Sequence, residues 1–440
     1  MEGWVELSDI ARIATVLAGR SDSSSVKLRG WIHNRRSSGG ILFVTVRDGT
    51  GFLQCTAKRD QVGQDRFAEI ETVPLESTIE LEGQVARDER APRGYELRIT
   101  GFRTLHASHE DFPIAKKYHG PEFLLDNRHF WIRSKKMQTI LRIRALLMEE
   151  ARRWLKEHEY LEVQVPTLVS AAVEGGSTLF EVKYFDQQAY LTQSWQLYAE
   201  AMIASLGKIY TVAPSFRAEK SRTRRHLTEF WQLELEDPWL DLEGLIKVEE
   251  GLVLHIAHQV AAHGAQDLKD LGRSPDMMME LKSPLPRITY DKAVELIRSS
   301  DSGFNWGMDL GYEQEKILTA NFSTPFFVTH YPKGVKAFYH MPDPQRPEVT
   351  LSVDMLAPEG YGEITGGGQR IHDYSQLMKR IEEEHLNPEH YSWYLDLRKY
   401  GTVPHSGFGM GIERTVAWIC RLKHIRDATA FPRLMNRIYP

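Results

Sequence analysis

The sequence predicts an α+β protein in two parts, an all-β N-terminal module followed by a larger part that mixes strands and helices. Three observations predict it. Residues 26 to about 107 hold strand-length runs broken by turn residues, residues 137–158 carry one long amphipathic pattern, and strand and helix patterns then alternate to the end. At 440 residues, about two or three domains are expected, each large enough for its own core.

The N-terminal runs are VKLRGWIH, ILFVTVRD, GFLQCTAK, TIELEGQVAR and YELRITGF, separated by Ser-Gly-Gly, Asp-Gly-Thr-Gly and Arg-Ala-Pro-Arg-Gly. Five short strands in roughly 80 residues suit a small closed barrel such as an OB-fold. Strand count alone fits an SH3-like barrel or a sandwich as well. Residues 1–107 are therefore expected to form this domain. Residues 108–130, with Pro113, Pro121 and mixed charges, read as a hinge or linker before a second domain over 131–440.

In the second domain, Met137, Ile140, Leu141, Leu147, Met148, Ala151, Trp154 and Leu155 recur at helical steps, which predicts a helix ending near His158. The strand-like YLEVQVPTLV follows. Residues 265–300 are the least constrained stretch and read as an insertion, with a small helical element around Ala293 to Arg298.

Composition narrows the class. With 42% hydrophobic and 26% charged residues, the chain is neither disordered, collagen-like nor a coiled coil. Cys55 and Cys420 are too far apart in sequence for a disulfide framework or a zinc site of the usual spacing. No apolar run approaches the roughly 18 residues needed to span a bilayer. The first twenty residues carry acidic groups among short apolar steps, unlike a secretory signal. A reduced, soluble, cytoplasmic protein is expected, and the Asn321-Phe322-Ser323 sequon then has no meaning. The net charge of −5 excludes attachment to nucleic acid by bulk charge. Local basic tracks remain at Arg35-Arg36, Lys116-Lys117, Arg133 to Lys136 and Arg217 to Arg225.

No phosphate loop, dinucleotide fingerprint, HExxH or GxSxG occurs. His255, His258 and His263 fall on one helix, where a packed or solvated face is favoured over a metal site. The unusual density lies in SFRAEKSRTRRHLTEFW, residues 215–231. One strand ends at Arg217, a basic loop follows, and a second strand returns through Gln232, Glu234 and Glu236, on the face opposite Leu233 and Leu235. Carboxylates and arginines sharing a sheet face are costly unless they hold charged ligands or each other. A second acidic pair, Asp354 and Glu363, precedes Gly366-Gly367-Gly368-Gln369-Arg370. Two carboxylates on facing strands can hold Mg²⁺ against phosphates, and the glycines let a backbone approach a ligand closely. An ordinary glycine-rich hairpin explains the same run. Finally, Gly407-Phe408-Gly409-Met410-Gly411-Ile412-Glu413-Arg414 leads into an apolar helix and suggests phosphate binding.

In this order, the segments resemble the three motifs of the class II aminoacyl-tRNA synthetases over nearly the whole chain. The helix and Pro166 strand resemble motif 1, FRAEK…RHLTEF motif 2, and GFGMGIER motif 3. The barrel and EITGGGQR narrow this to the subclass (b) with the aspartyl, asparaginyl and lysyl enzymes. RTRRHLTEFWQLELE, LAPEGYGEI and VPHSGFG resemble the archaeal-type asparaginyl branch. The resemblance implies a six- to seven-stranded antiparallel sheet flanked by helices, a homodimer across motif 1, and an anticodon-gripping OB-fold. The apolar stripe of the motif 1 helix also calls for a partner surface.

Residue by residue, the resemblance implies that Arg217 binds the ATP α-phosphate and Arg414 the γ-phosphate. Phe230 would stack on adenine opposite Arg414, Glu219 would accept from the adenine amino group, and His226 would reach the terminal phosphates. Asp354 and Glu363 would hold Mg²⁺. Glu174 would take the substrate α-ammonium, and Ser194 and Gln196 belong to the amino-acid-binding segment. The resemblance places Arg29, Phe43 and Gln54 on the tRNA anticodon surface, where Phe43 and Gln54 match positions that would stack on and read bases. Such a reaction needs positioning and electrostatic stabilisation rather than a protein nucleophile, which accounts for the missing nucleophilic constellation.

Arg370 would face the substrate side chain. Aspartyl relatives add a lysine where this chain has Ala199, and Glu234 replaces their aspartate as an acceptor for an amide NH₂. Less positive charge and an added acceptor favour L-asparagine and tRNA-Asn over aspartate. Trp195 departs from the small residues of the family, and Gly368 stands where relatives often carry Ser. Strand alternation points Trp195 into the core; if it entered the pocket, the chain would be a synthetase-like paralogue passing an adenylate to ammonia or another small acceptor. A non-catalytic tRNA-binding protein is disfavoured by the presence of Arg217, Arg414, Asp354 and Glu363.

Overall fold

A computed structural model describes residues 10–114, 116–170, 178–220 and 223–440, and the chain divides into two compact units, Met1–Leu124 and Leu125–Pro440. The first unit is a closed barrel of Ser25–Ser38, Ile41–Asp48, Gly51–Lys58, Tyr95–His106 and Thr78–Arg87, in that spatial order. Alternation closes it: Leu42, Val44, Val46, Leu53, Cys55 and Ala57 all point into the barrel and are fully buried. The all-β expectation for this region misses two helices, Arg59–Val62 and Gln64–Thr72. Phe67 and Ile70 of the second helix share the barrel core.

The stretch expected as a linker over 108–130 also differs, holding the short helices Pro121–Asp126 and Arg128–Trp131. The physical reason is Arg128, a buried guanidinium that donates to the carbonyls of Arg426, Thr429 and Ala430 at 2.7–3.0 Å.

The second unit is built on an eight-stranded sheet. Its order is Arg287–Thr289, Phe326–Thr329, Ser352–Ala357, Gly362–Gln369, His405–Gly411, Glu229–Pro238, Ile209–Phe216, Leu161–Glu162. The central pairings are antiparallel, as expected, but both edge strands pair in parallel. One edge strand, Arg287–Thr289, comes from the stretch expected as an insertion, so 265–300 contributes to the sheet, and its last helix covers Tyr290–Arg298. The strand expected over YLEVQVPTLV reduces to Leu161–Glu162 and Leu168–Val169. Pro166 lies between them and has no N–H to extend a ladder.

The amphipathic helix runs Lys135–Glu157, with the Ser134 hydroxyl accepting from Met137 N at 3.3 Å as its N-cap. Its stripe, including Ile140, Ile143, Leu147 and Leu155, packs into one core with Leu245, Leu252 and Ile256 of the helix Leu242–His263. The stripe is covered within the chain and does not itself call for a partner. On that second helix His255 lies 3.4 Å from Glu150 and His258 Nε2 lies 2.9 Å from Leu281 O, so both pack a helix face. Among the described residues, no helix is long and apolar enough to cross a membrane.

Candidate active site

The paired strands Ile209–Phe216 and Glu229–Pro238 present their two faces as alternation requires. Leu233 and Leu235 enter the core, whereas Gln232, Glu234 and Glu236 line a cavity of about 460 Å³. The same cavity is walled by Ser194, Gln196, Arg217, Asp354, Glu363 and Arg370. Residues as far apart in sequence as Ser194 and Arg370, 176 positions, thus converge on one cavity.

At one end, Arg370 donates from Nε and Nη2 to Glu236 at 2.9 and 3.1 Å. Burial disfavours the guanidinium charge, but Glu236 outweighs it and holds Arg370 protonated. Glu234 accepts from the Ser194 hydroxyl at 2.5 Å and from Trp195 N at 3.2 Å, which fixes its carboxylate toward the cavity wall. Trp195 itself is 2% exposed, packed with Val163, Ala199, Ile203 and Ile209. Its indole packs into core, but not by the expected strand alternation: Trp195 is the N-cap of the helix Gln196–Leu206, and it borders the cavity beside Ser194 and Gln196.

Behind this wall lies a network that sequence reading missed. Gln196 Nε2 donates to Glu200 at 3.0 Å, and Glu200 also receives the Tyr394 hydroxyl at 2.8 Å, His405 Nε2 at 2.9 Å and the Arg398 guanidinium. Burial pushes the Glu200 carboxyl up, yet Arg398 and His405 outweigh it and hold it well below the usual range. Glu200, Glu236 and His405 lie close enough to suggest a metal cluster. Arg398 and Arg370 already occupy those carboxylates, so the cluster is an ion-pair network. The sequence signal was available: Glu200 stands four residues after Gln196 on the helix Gln196–Leu206, hence on the same face.

At the other end, Arg217, Glu219, His226, Phe230 and Arg414 line a smaller adjoining cavity of about 60 Å³. The Arg217 guanidinium lies 5.5 Å from the Phe230 ring centroid. Arg414, in the first turn of the helix Ile412–Ile419, donates to Glu363 O at 3.1 Å and pairs with its carboxylate at 3.1 Å. Burial and the charge of Arg414 pull His226 below its ordinary value, which favours a neutral ring near pH 7.

Between the two ends sit Asp354 and Glu363, on neighbouring strands. A Cβ added at Gly366 would lie 3.1 Å from both Asp354 Oδ1 and Glu363 Oε1, so the two carboxylates converge over this glycine, which lines the cavity. Gly367 and Gly368 instead pack against neighbouring backbone, Gly407 O and Leu351 O. Burial pushes Asp354 up to about 6 against the pull of Lys336. Burial also acts to raise Glu363, but Arg414 and Lys336 outweigh it and lower it. Two hard oxygens converging over open backbone, next to arginines that suit phosphates, fit the donor set that Mg²⁺ takes. A brace holds this strand: Arg225 donates to Glu315 Oε2 at 2.5 Å, and that oxygen also accepts from Glu363 N at 2.7 Å. Neither Lys336 nor Glu315 carries a motif that would single it out in sequence.

Glu174, expected at the substrate ammonium, lies outside the described residues. In the barrel, Phe43 is half-buried beneath the Arg36 guanidinium at 4.1 Å. Gln54 donates to Glu96 at 3.3 Å and Arg29 to Glu80 at 2.8 Å.

The family model for class II tRNA synthetases (D, K and N) matches residues 120–435, and that for the OB-fold nucleic acid binding domain matches 26–105. The chain is 48% identical over 421 residues to the asparagine–tRNA ligase of Pyrococcus abyssi, covering 95% of this chain and 97% of that protein. It is 46% identical over 428 residues to that of Thermoplasma acidophilum, covering 97% and 99%. The crystal structure of asparaginyl-tRNA synthetase from Pyrococcus horikoshii complexed with asparaginyl-adenylate superposes with a TM-score of 0.92 at 45% identity, covering 100% of both chains. With a barrel, a synthetase-type sheet and full-length relatives of one kind, the chain belongs to the class II tRNA synthetases (D, K and N), among the asparagine–tRNA ligases.

Proposed function

We propose that the chain activates L-asparagine with ATP to asparaginyl-adenylate and transfers it to the 3′ end of tRNA-Asn. The observation that carries the amino-acid choice is the compensated arginine of the cavity wall. Glu236 neutralises Arg370, and Glu234 adds a fixed acceptor beside it. An amide fits this pair, its oxygen toward Arg370 and its NH₂ toward Glu234. A substrate carboxylate would meet a carboxylate instead.

In the smaller cavity, adenine stacks between Phe230 and Arg414, with Glu219 as acceptor. Arg217 and Arg414 hold the α- and γ-phosphates, and His226 reaches the terminal phosphates as a neutral donor. The amino-acid carboxylate attacks the α-phosphorus in line, pyrophosphate leaves, and the charge developing on phosphate oxygens falls among these cations. Asp354 and Glu363 would hold Mg²⁺, which would supply charge neutralisation at the phosphates. Ser194 and Gln196 position the amino acid, the first through Glu234 and the second through Glu200, and Glu174 takes its ammonium.

The barrel grips the anticodon through Phe43, Gln54 and Arg29, since a half-buried aromatic suits splayed bases at about 1–3 kcal/mol per stack. A homodimer is supported by the outward Leu161 and Leu168 flanking Pro166, 50% and 41% exposed, rather than by the helix stripe. Two fully buried free thiols, Cys55 and Cys420, suit a cytoplasmic setting. The packing of the Trp195 indole against Val163, Ala199, Ile203 and Ile209 supports the asparagine reading over a tRNA-free paralogue, although the residue also borders the cavity. The test is amino-acid-dependent ATP–pyrophosphate exchange across the standard amino acids. Asparagine should stand alone, and exchange driven by aspartate instead would overturn the reading.

A further inference from the structure

Among the described residues, Lys336 is the one lysine in the wall of the large cavity, and its ammonium lies 2.7 Å from both carboxylate oxygens of Asp354. It is held there by its surroundings. The side chain is 18% exposed, and Nζ sits 4.1 Å from the Tyr331 ring centroid. The second carboxylate is likewise engaged, by Arg414 at 3.1 Å. Each of the two carboxylates that converge over Gly366 therefore already has a monovalent partner, and Arg217 adds a further positive charge to the same cavity.

This balance has a consequence for metal entry. A divalent cation arriving alone would bring two positive charges beside Lys336, Arg414 and Arg217, with no anion to compensate them. A cation arriving with a nucleoside triphosphate brings its own compensation, and its phosphates offer the ammonium and both arginines new partners. We propose that Lys336 is a positioning residue that reserves Asp354 against free divalent cations, yielding only when metal and triphosphate enter together. The displaced ammonium stays on its flexible four-carbon stem in the same cavity, where phosphate oxygens replace Asp354 as its partner. The inference rests on the proposed metal site at Asp354 and Glu363.

Mn²⁺ serves as the probe, titrated by electron paramagnetic resonance against the full chain, alone and with α,β-methylene-ATP, which cannot form an adenylate. The wild type should bind Mn²⁺ weakly alone and tightly with the analogue. Lys336→Met should bind Mn²⁺ alone about tenfold tighter or more, whereas Lys336→Arg should behave as wild type. Lys336→Gln, which keeps a donor toward Asp354, takes the place of Lys336→Met if that variant does not fold. Unchanged affinity for Mn²⁺ alone in the neutral variant overturns the role of Lys336, as does tight binding of Mn²⁺ alone by the wild type. The metal site is tested separately by Asp354→Asn: if that variant retains analogue-dependent Mn²⁺ binding, the site assignment itself fails.

Discussion

Glu236 and Arg370 face each other as a bidentate pair at 2.9 and 3.1 Å, 1% and 4% exposed respectively. Gly407 makes room for them, since a Cβ there would fall 2.0 Å from Glu236 Oε2. A guanidinium so compensated can still donate to a neutral oxygen but offers little net charge to an anion. Glu236→Gln should restore that charge. Asparagine activation is expected to weaken, and the ratio of aspartate to asparagine exchange to rise by roughly 10–100-fold, in line with about 1.5–3 kcal/mol for a hydrogen bond to a charged group. Parallel exchange assays with the two amino acids measure it, and an unchanged ratio would mean the pair does not set the choice.

Arg217 belongs to both cavities and lies beside Phe230 at the junction between them. On the proposed reading it contacts the α-phosphate. Arg217→Ala should lower kcat for pyrophosphate exchange by roughly 10²–10³, the loss typical of one transition-state donor. Near-normal exchange in the variant would remove the assigned role.

The sequence made the sheet face legible because a period of two is enforced by burial. With Leu233 and Leu235 forced into the core, Gln232, Glu234 and Glu236 had to face the site. The barrel strands were legible for the same reason. Arg225–Glu315 and Lys336–Asp354 were not, because each joins a binding segment to a residue with no local pattern, 90 and 18 positions away. The helix Gln64–Thr72 was hidden by its short length and weak apolar periodicity. The parallel edge strands depend on pairings made by two or three residues, below the length at which alternation carries information.

On the proposed anticodon role, Phe43 and Gln54 should act on tRNA alone. Phe43→Ala and Gln54→Ala lie in the barrel unit, while the adenylation residues all lie in the second. Aminoacylation should weaken in both variants with pyrophosphate exchange nearly unchanged. Equal losses in the two assays would make Phe43 and Gln54 structural.

Trp195 should behave as a core residue. Its indole is packed against Val163, Ile203 and Ile209, its backbone N–H donates to Glu234, and the residue borders the cavity. Trp195→Ala is expected to destabilise the protein by about 3–5 kcal/mol, with asparagine preference retained. Denaturant unfolding together with exchange assays separates the two effects. A variant of normal stability that switches amino acid would place the indole in the pocket after all.

Glu249 gives the clearest pH signature. It is fully buried on the helix Leu242–His263, one oxygen accepting from Thr365 at 2.8 Å and the other, Oε1, without a hydrogen-bond partner. Burial raises its pKa from 4.5 to about 8, with the hydrogen bond from Thr365 opposing the shift and the charge of Asp354 adding to it. Below about 4.5 the group is protonated in both folded and unfolded chains and contributes no pH dependence. Above that value the unfolded chain releases a proton that the folded chain keeps, so this residue lowers stability progressively as pH rises toward 8, and the loss levels off beyond it. Glu249→Gln keeps a neutral group of the same shape and removes the titration. Its Tm should gain on the wild type steadily between pH 5 and pH 8, the window set by the two pKa values. Melting curves across that range decide it: a Tm difference independent of pH would show that Glu249 does not hold its proton in the folded protein.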